Sequence, residues 1–210
     1  MDEPKPDTPE TLLLLRRFKA GDPDALTELM ARHRDEMRQF VARRLDGELR
    51  ARIDPSDVVQ EAQMDICRRL PDFLARQPMP FHVWLRKTAY EHLLMLRRRH
   101  VEASRRATGR ETPLPDPSVL LLARQLLAGG STPSQNLHRR ELARRVRQAV
   151  VQLAETDREI LFMRNYEGLS YHEVGLLLGI ESGTARQRYG RALVRVHQLL
   201  AEGGLTESKI

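Results

Sequence analysis

The amino-acid sequence predicts an all-α fold: two small helical domains joined by a flexible linker, the second containing a helix-turn-helix. Three observations carry this expectation. Apolar residues recur every three or four positions along nearly the whole chain, the period of a helix that buries one face. No segment shows the strict alternation of a half-buried strand. Between 107 and 136, Pro113, Pro115, Pro117, Gly129, Gly130 and Pro133 surround one short apolar piece, VLLLARQLLA, as in a tether carrying a single short helix. The length of 210 residues has room for one domain or two small ones.

The elements follow in order. Residues 1–9 are acidic and proline-bearing and read as a disordered tail. The first domain, 10–106, opens with a leucine-rich helix at Thr11 that stops at Gly21; Asp22-Pro23 then restarts the chain with a cap and a first-turn proline. Leu26, Leu29, Met30, Met37, Val41 and Leu45 mark an amphipathic helix ending near Gly47. Asp54-Pro55-Ser56-Asp57 is a strong helix start, and Val59, Ala62, Ile66 and Leu70 stack on one side behind it. Pro71, Pro78 and Pro80 predict an irregular loop around DFLARQ. Phe81, Trp84, Leu85, Leu93 and Leu96 fill a further helix that closes on Arg97, Arg98 and Arg99. The second domain, 137–203, is again helical, and 204–210 reads as a frayed tail.

Composition narrows the function. Apolar residues make up 40% and charged residues 30%, an ordinary globular balance. The surplus of 35 Lys+Arg over 29 Asp+Glu gives a net charge of +6, and the pI near 10.0 points toward a polyanionic partner. A lone Cys67, on the apolar side of its helix, excludes an intrachain disulfide and fits a reducing cytosol. The longest apolar run, Leu12 to Leu15, is far short of the roughly 20 residues that span a bilayer, and no secretory leader is expected at the acidic start. The histidines His33, His82, His92, His100, His138, His172 and His197 have no HExxH or paired-cysteine context, so no metal, no cofactor and no catalytic residue is expected.

The strongest local signal is the stretch YHEVGLLLGIESGTARQRYGRAL. Ser170 and Glu173 have capping-box spacing, so a helix begins at Tyr171 and turns Val174, Leu177 and Leu178 inward. Gly179 ends it, and Ser182 caps a second helix whose Ala185, Ala192, Leu193 and Val196 face inward. Thr184, Arg186, Gln187, Arg188 and Arg191 are left on or beside the outer face, near the helix start. Two helices joined by a short glycine turn, the second presenting Arg and Gln, match a reader of the DNA major groove. There arginine pairs with guanine and glutamine with adenine, each through two hydrogen bonds.

The block LAETDREILFMRNYEGLSYHEVGLLLGIESGTARQRYGRAL resembles the fourth domain of bacterial sigma factors, especially the small extracytoplasmic-function (ECF) group. Leu153, Arg158, Gly168, Leu169, Ser170, Glu173, Val174, Leu178, Gly179, Gly183, Thr184, Arg188, Arg191 and Ala192 carry the likeness. The first domain is similar to the same family on separate grounds: GDPDALTELMARH, DPSDVVQEAQMDICRRL and FHVWLRKTA followed by LRRR resemble its opening helix pair, its polymerase-binding helix and its promoter-melting helix.

The resemblance implies a cytoplasmic promoter-specificity subunit of RNA polymerase, not an enzyme, that binds the β′ clamp helices, the β flap and promoter DNA, with an anti-sigma factor as a candidate regulator. On it, Asp57, Gln60 and Glu61 are candidate polymerase contacts, whose acidity suits a basic partner. Phe73, Arg76 and Gln77 are candidates for capturing a base flipped from the minus-ten element. Arg86, Lys87, Arg97, Arg98 and Arg99 are candidate phosphate contacts. By position Arg186, Gln187 and Arg191 face bases of the upstream element, with Thr184 and Arg188 nearer the DNA backbone or the domain core. Departures from the family pattern at Glu91, Met95, Gln187 and Gly190 leave both promoter sequences open. A stand-alone operator-binding regulator and a recombinase with a helix-turn-helix tail are the rival readings; the latter lacks any strand pattern to hold an active site.

Overall fold

The computed structural model describes residues 4–45, 47–106 and 136–202. Every regular element among them is an α-helix. The chain divides into two compact units, one within Pro4–Leu114 and one within Pro115–Ile210. The expected linker and the C-terminal tail fall outside the described residues, apart from Asn136 at the linker's end, where a helix begins.

The first unit holds α1 (Pro9–Lys19), α2 (Asp24–Ala42), α3 (Gly47–Arg52), α4 (Pro55–Arg76) and α5 (Phe81–Arg106). Helix α1 starts earlier than expected: Thr8 is its cap, its hydroxyl accepting from the Thr11 amide at 3.3 Å, and Pro9 sits in the first turn. Helix α2 buries Ala25, Leu29, His33, Met37, Phe40 and Val41, and leaves Leu26 and Met30 half-covered. It ends at Ala42, short of Gly47, which opens α3 instead. Asp54 caps α4, accepting from the Ser56 amide at 2.7 Å.

Helix α4 corrects the expected loop around DFLARQ. It continues through Pro71 to Arg76 and stops at Gln77, whose φ of 40° is left-handed. An interior proline costs a helix roughly 3 kcal/mol. Leu70, Phe73 and Leu74, all buried, offset that cost because only a continued helix turns them into the core.

The tail expected at 1–9 also needs correction, since Asp7 is part of the packed unit. Its carboxylate accepts from the amides of Phe81 at 2.6 Å and His82 at 2.9 Å, and meets His82 Nδ1 at 2.8 Å. It thereby caps α5 from a distance of 74 residues along the chain. Burial pushes the Asp7 carboxyl up, yet the His82 side chain and the two amides pull it further down, leaving it below its ordinary value. Because the folded state holds the ionised form more tightly, this contact adds stability above about pH 4 and loses it as pH falls through the lowered value. Replacing Asp7 by Ala is expected to cost about 1–2 kcal/mol at pH 7 and far less near pH 3. Urea melts at both pH values check this; an equal loss at each would remove the charged cap from the account.

The core of this unit is a ring cluster. Phe81, fully buried, meets His33 at 5.6 Å, Phe73 at 5.7 Å and Trp84 at 5.9 Å between centroids, and Phe73 stacks on Trp84 at 4.3 Å. Trp84 is a core residue, as its 5% exposure shows.

The second unit holds α6 (Asn136–Val151), α7 (Glu155–Asn165), α8 (Tyr171–Leu178) and α9 (Ser182–Glu202). Val146, Ala149, Val150, Leu153, Leu161, Phe162, Ala192 and Val196 form its core, with Leu193 and Tyr189 packed against it. Arg158 closes the end of α6 by donating to the Val151 carbonyl at 3.0 Å.

Candidate nucleic-acid interface

In the second unit the helix-turn-helix is built as its residues dictate. Ser170 Oγ accepts from the Glu173 amide at 3.1 Å, and Glu173 Oε2 accepts from the Ser170 amide at 2.7 Å, a complete capping box. Gly179 ends α8 at φ 66°, and the Ile180 amide returns to the Gly175 carbonyl at 3.0 Å. The next helix begins one residue earlier than expected: Ser182 is its first residue, and the Glu181 carbonyl accepts the first helical bond from Ala185 at 2.9 Å.

Ala185 and Ala192 are fully buried and Val196 nearly so, which fixes the rotation of α9 about its axis. The opposite side then presents Arg186, Gln187 and Arg191 to solvent, with Thr184 and Arg188 half-covered at its edge. This is the division expected from the sequence. Aromatic contacts hold α9 in that rotation: Tyr189 donates to Asn165 Oδ1 at 3.1 Å and packs edge-on against Tyr171 at 5.7 Å, while the Arg164 guanidinium covers Tyr171 at 4.0 Å.

Two residues that sequence reasoning passed over shape this site. A Cβ on Gly175 would lie 2.6 Å from the Ile180 carbonyl oxygen and 3.3 Å from the Ser182 amide nitrogen, so α8 and the start of α9 approach at a distance only glycine permits. The available signal was a glycine in the middle of an otherwise well-formed helix. Tyr189, inside the arginine-rich stretch, faces inward rather than outward.

In the first unit, Asp57, Gln60 and Glu61 are all exposed on the first turns of α4 and share one face by their spacing. Met64, 62% exposed, continues the same stripe one turn on, and the sequence reading missed it. A recess nearby is lined by Arg69, Asp72, Phe73, Arg76, Pro78 and Trp84. It unites Phe73 and Arg76 of the predicted trio, whereas Gln77 stands exposed as the helix cap. Phe73 contributes a wall, being buried against Trp84.

The basic candidates on α5 divide. Arg86 forms an ion pair with Glu36, whose carboxyl is pulled to about 2 by its hydrogen bond with His33, against the effect of burial and with help from Arg86. Arg97 donates to the Arg44 carbonyl at 2.6 Å. Lys87 is half-covered, and Arg98 and Arg99 are exposed. Glu91 lies 3.7 Å from Arg69, and His92 sits between Glu61 at 3.7 Å and Asp65 at 3.8 Å, which joins α4 to α5 through side chains of both signs. Among the described residues no group of His, Cys, Asp and Glu could hold a metal ion, and no helix is long and apolar enough to cross a membrane.

Residues 143–196, which contain the helix-turn-helix, match the family model for sigma-70 region 4. Outside that span the likeness continues across both units. An ECF RNA polymerase sigma-E factor from Escherichia coli K12 is 29% identical over 189 residues, covering 86% of this chain and 88% of the relative. The likeness to ECF sigma factors therefore runs through both units. An RNA polymerase sigma-H factor from Pseudomonas aeruginosa is 28% identical, with 89% and 92% covered. Among solved structures, CnrH in complex with the cytosolic domain of CnrY has a TM-score of 0.54 at 21% identity, covering 92% of this chain and 98% of that one. The sigma factor RpoE in complex with the anti-sigma factor NepR, from Bartonella quintana, has a TM-score of 0.53 at 17% identity, covering 83% and 96%. These two show the same fold. This sigma factor is a transcription-initiation protein with a DNA-binding helix-turn-helix, and the stand-alone regulator is not favoured, because the relatives match through the first unit as well as the second.

Proposed function

We propose that this sigma factor carries core RNA polymerase to its promoters in the cytoplasm, docking through the acidic stripe of α4, opening the minus-ten element at α5 and reading the upstream element with α9. The observation that carries the reading is the outward face of α9, where Arg186, Gln187 and Arg191 are exposed opposite a fully buried alanine pair. Rigid placement matters here, because bidentate base contacts fail when the guanidinium is displaced.

Asp57, Gln60 and Glu61, with Met64 as an apolar centre, form the surface for the β′ clamp helices; the charges orient docking and the thioether supplies buried area. The Phe73–Trp84 stack walls a recess for a flipped base, with Arg76 and Gln77 at its edge. Lys87, Arg98 and Arg99 are the foremost phosphate contacts, and Arg86 and Arg97 join them only by leaving Glu36 and the Arg44 carbonyl. The β flap and an anti-sigma factor are further partners, the latter in line with the RpoE–NepR complex.

Run-off transcription with cognate core polymerase on a genomic fragment library tests the reading. Promoter-specific transcripts should appear only when the chain is added. Arg186→Ala and Arg191→Ala should each weaken upstream-element use by about 1–3 kcal/mol, with folding intact. Absence of any specific transcript from folded protein, or unchanged promoter choice by both variants, refutes it.

A further inference from the structure

We infer that Gly190 is a clearance position on the reading face of α9, where the base-pair edges of the upstream element come into van der Waals contact with the helix main chain. The inference deepens the reading of α9 as the promoter reader and rests on it. In the interior of a helix glycine is the least favourable choice short of proline, so a glycine there calls for a reason. The other described glycines of this unit have one within the chain or sit where the cost is slight. Gly168 and Gly179 adopt positive φ, Gly175 lies against the Ile180 carbonyl, and Gly183 is in the first turn of α9.

Gly190 has no such reason. It is exposed, it is not among the positive-φ residues, and an added Cβ meets nothing within 4 Å. Whatever requires a bare main chain at this point lies outside the described residues. Its place on the helix says what that is. At about 100° per residue, Gly190 projects between Arg186, about 40° to one side, and Gln187, about 60° to the other, one turn further along. It therefore occupies the middle of the outward face, opposite Ala185 and Ala192.

From Ser182 to Ala201, α9 contains no carboxylate, while Arg186 and Arg191 are exposed and the Arg195 side chain is 53% exposed. Such a face attracts an acidic protein surface as well as DNA, so charge alone does not choose between them and the shape of the face does. A bare centre flanked by long basic and amide side chains is the shape that lets a helix sink to the groove floor while those side chains reach the base edges beside it. A bulky side chain at 190 holds the helix off the floor and withdraws Arg186 and Gln187 together.

The experiment uses the full chain with core polymerase and a promoter fragment recovered by run-off selection from genomic DNA, compared with the same fragment whose upstream half is replaced. Gly190→Leu should melt no lower than the parent, lose roughly tenfold or more of its transcription from the intact fragment, and equal the parent on the replaced one. Gly190→Ala should fall between the two and melt slightly higher. Parental activity of Gly190→Leu alongside a loss in Arg186→Ala overturns the clearance role and leaves the DNA-reading role of α9 standing. Parental activity of both overturns the DNA-reading role, and the inference with it. An equal loss on both fragments assigns Gly190 to a protein contact and overturns the inference as well.

Discussion

Phe81→Ala is expected to destabilise the first unit by about 3–5 kcal/mol, the usual cost of emptying a phenylalanine site in a core. Phe81 is fully buried and touches the rings of His33, Phe73 and Trp84, so its loss leaves a void bounded by α2, α4 and α5. It is also the first residue of α5, and its amide is one of those held by Asp7. The same substitution thus loosens the wall of the recess proposed for the flipped base. Trp84 is the chain's single tryptophan and lies in this cluster, so its fluorescence reports the first unit alone. The urea midpoint seen by fluorescence should fall by at least about 1 M, while the second unit's transition in circular dichroism stays in place. A fluorescence midpoint unchanged within error contradicts the packing described.

Gly175→Val has the second largest expected effect, and it falls on the other unit. The Cβ it introduces would stand 2.6 Å from a backbone oxygen, and the backbone on both sides is held by the α8 cap and the α9 start. Overpacking of this kind costs about 1–3 kcal/mol. Here it would also change the angle between α8 and α9 and so move Arg186, Gln187 and Arg191 as a group. Gly175→Ala separates the causes: helix propensity alone would raise stability by about 1 kcal/mol, whereas the close approach lowers it. Circular dichroism of the second unit should show a loss for both variants with the Trp84 transition unmoved; a gain for Gly175→Ala would mean the two helices do not meet there.

Much of the reader motif was legible because it is written in short-range chemistry. The Ser170–Glu173 capping box, the Gly179 stop and the inward Ala185 and Ala192 involve neighbours a few residues apart, and each proved to be where spacing placed it. The start of α4 at Asp54 was read on the same basis. Errors arose where a local rule met a distant partner. Pro71 promised a break, but Phe73 and Leu74 found the core only through a continued helix. Likewise no local rule announced that Arg86 pairs with Glu36, 50 residues away in sequence.

Period, cap and turn residues in the sequence are enough for the all-helical class, the order of the elements and the outward arginines of α9, since these depend on interactions within a turn or two of the chain. Tertiary structure alone decided that Asp7 caps α5, that Phe81 meets the rings of His33, Phe73 and Trp84, and that Gly175 lies against the following turn. Each of those is a distance between groups that the chain brings together only on folding, and no spacing along a single helix encodes it.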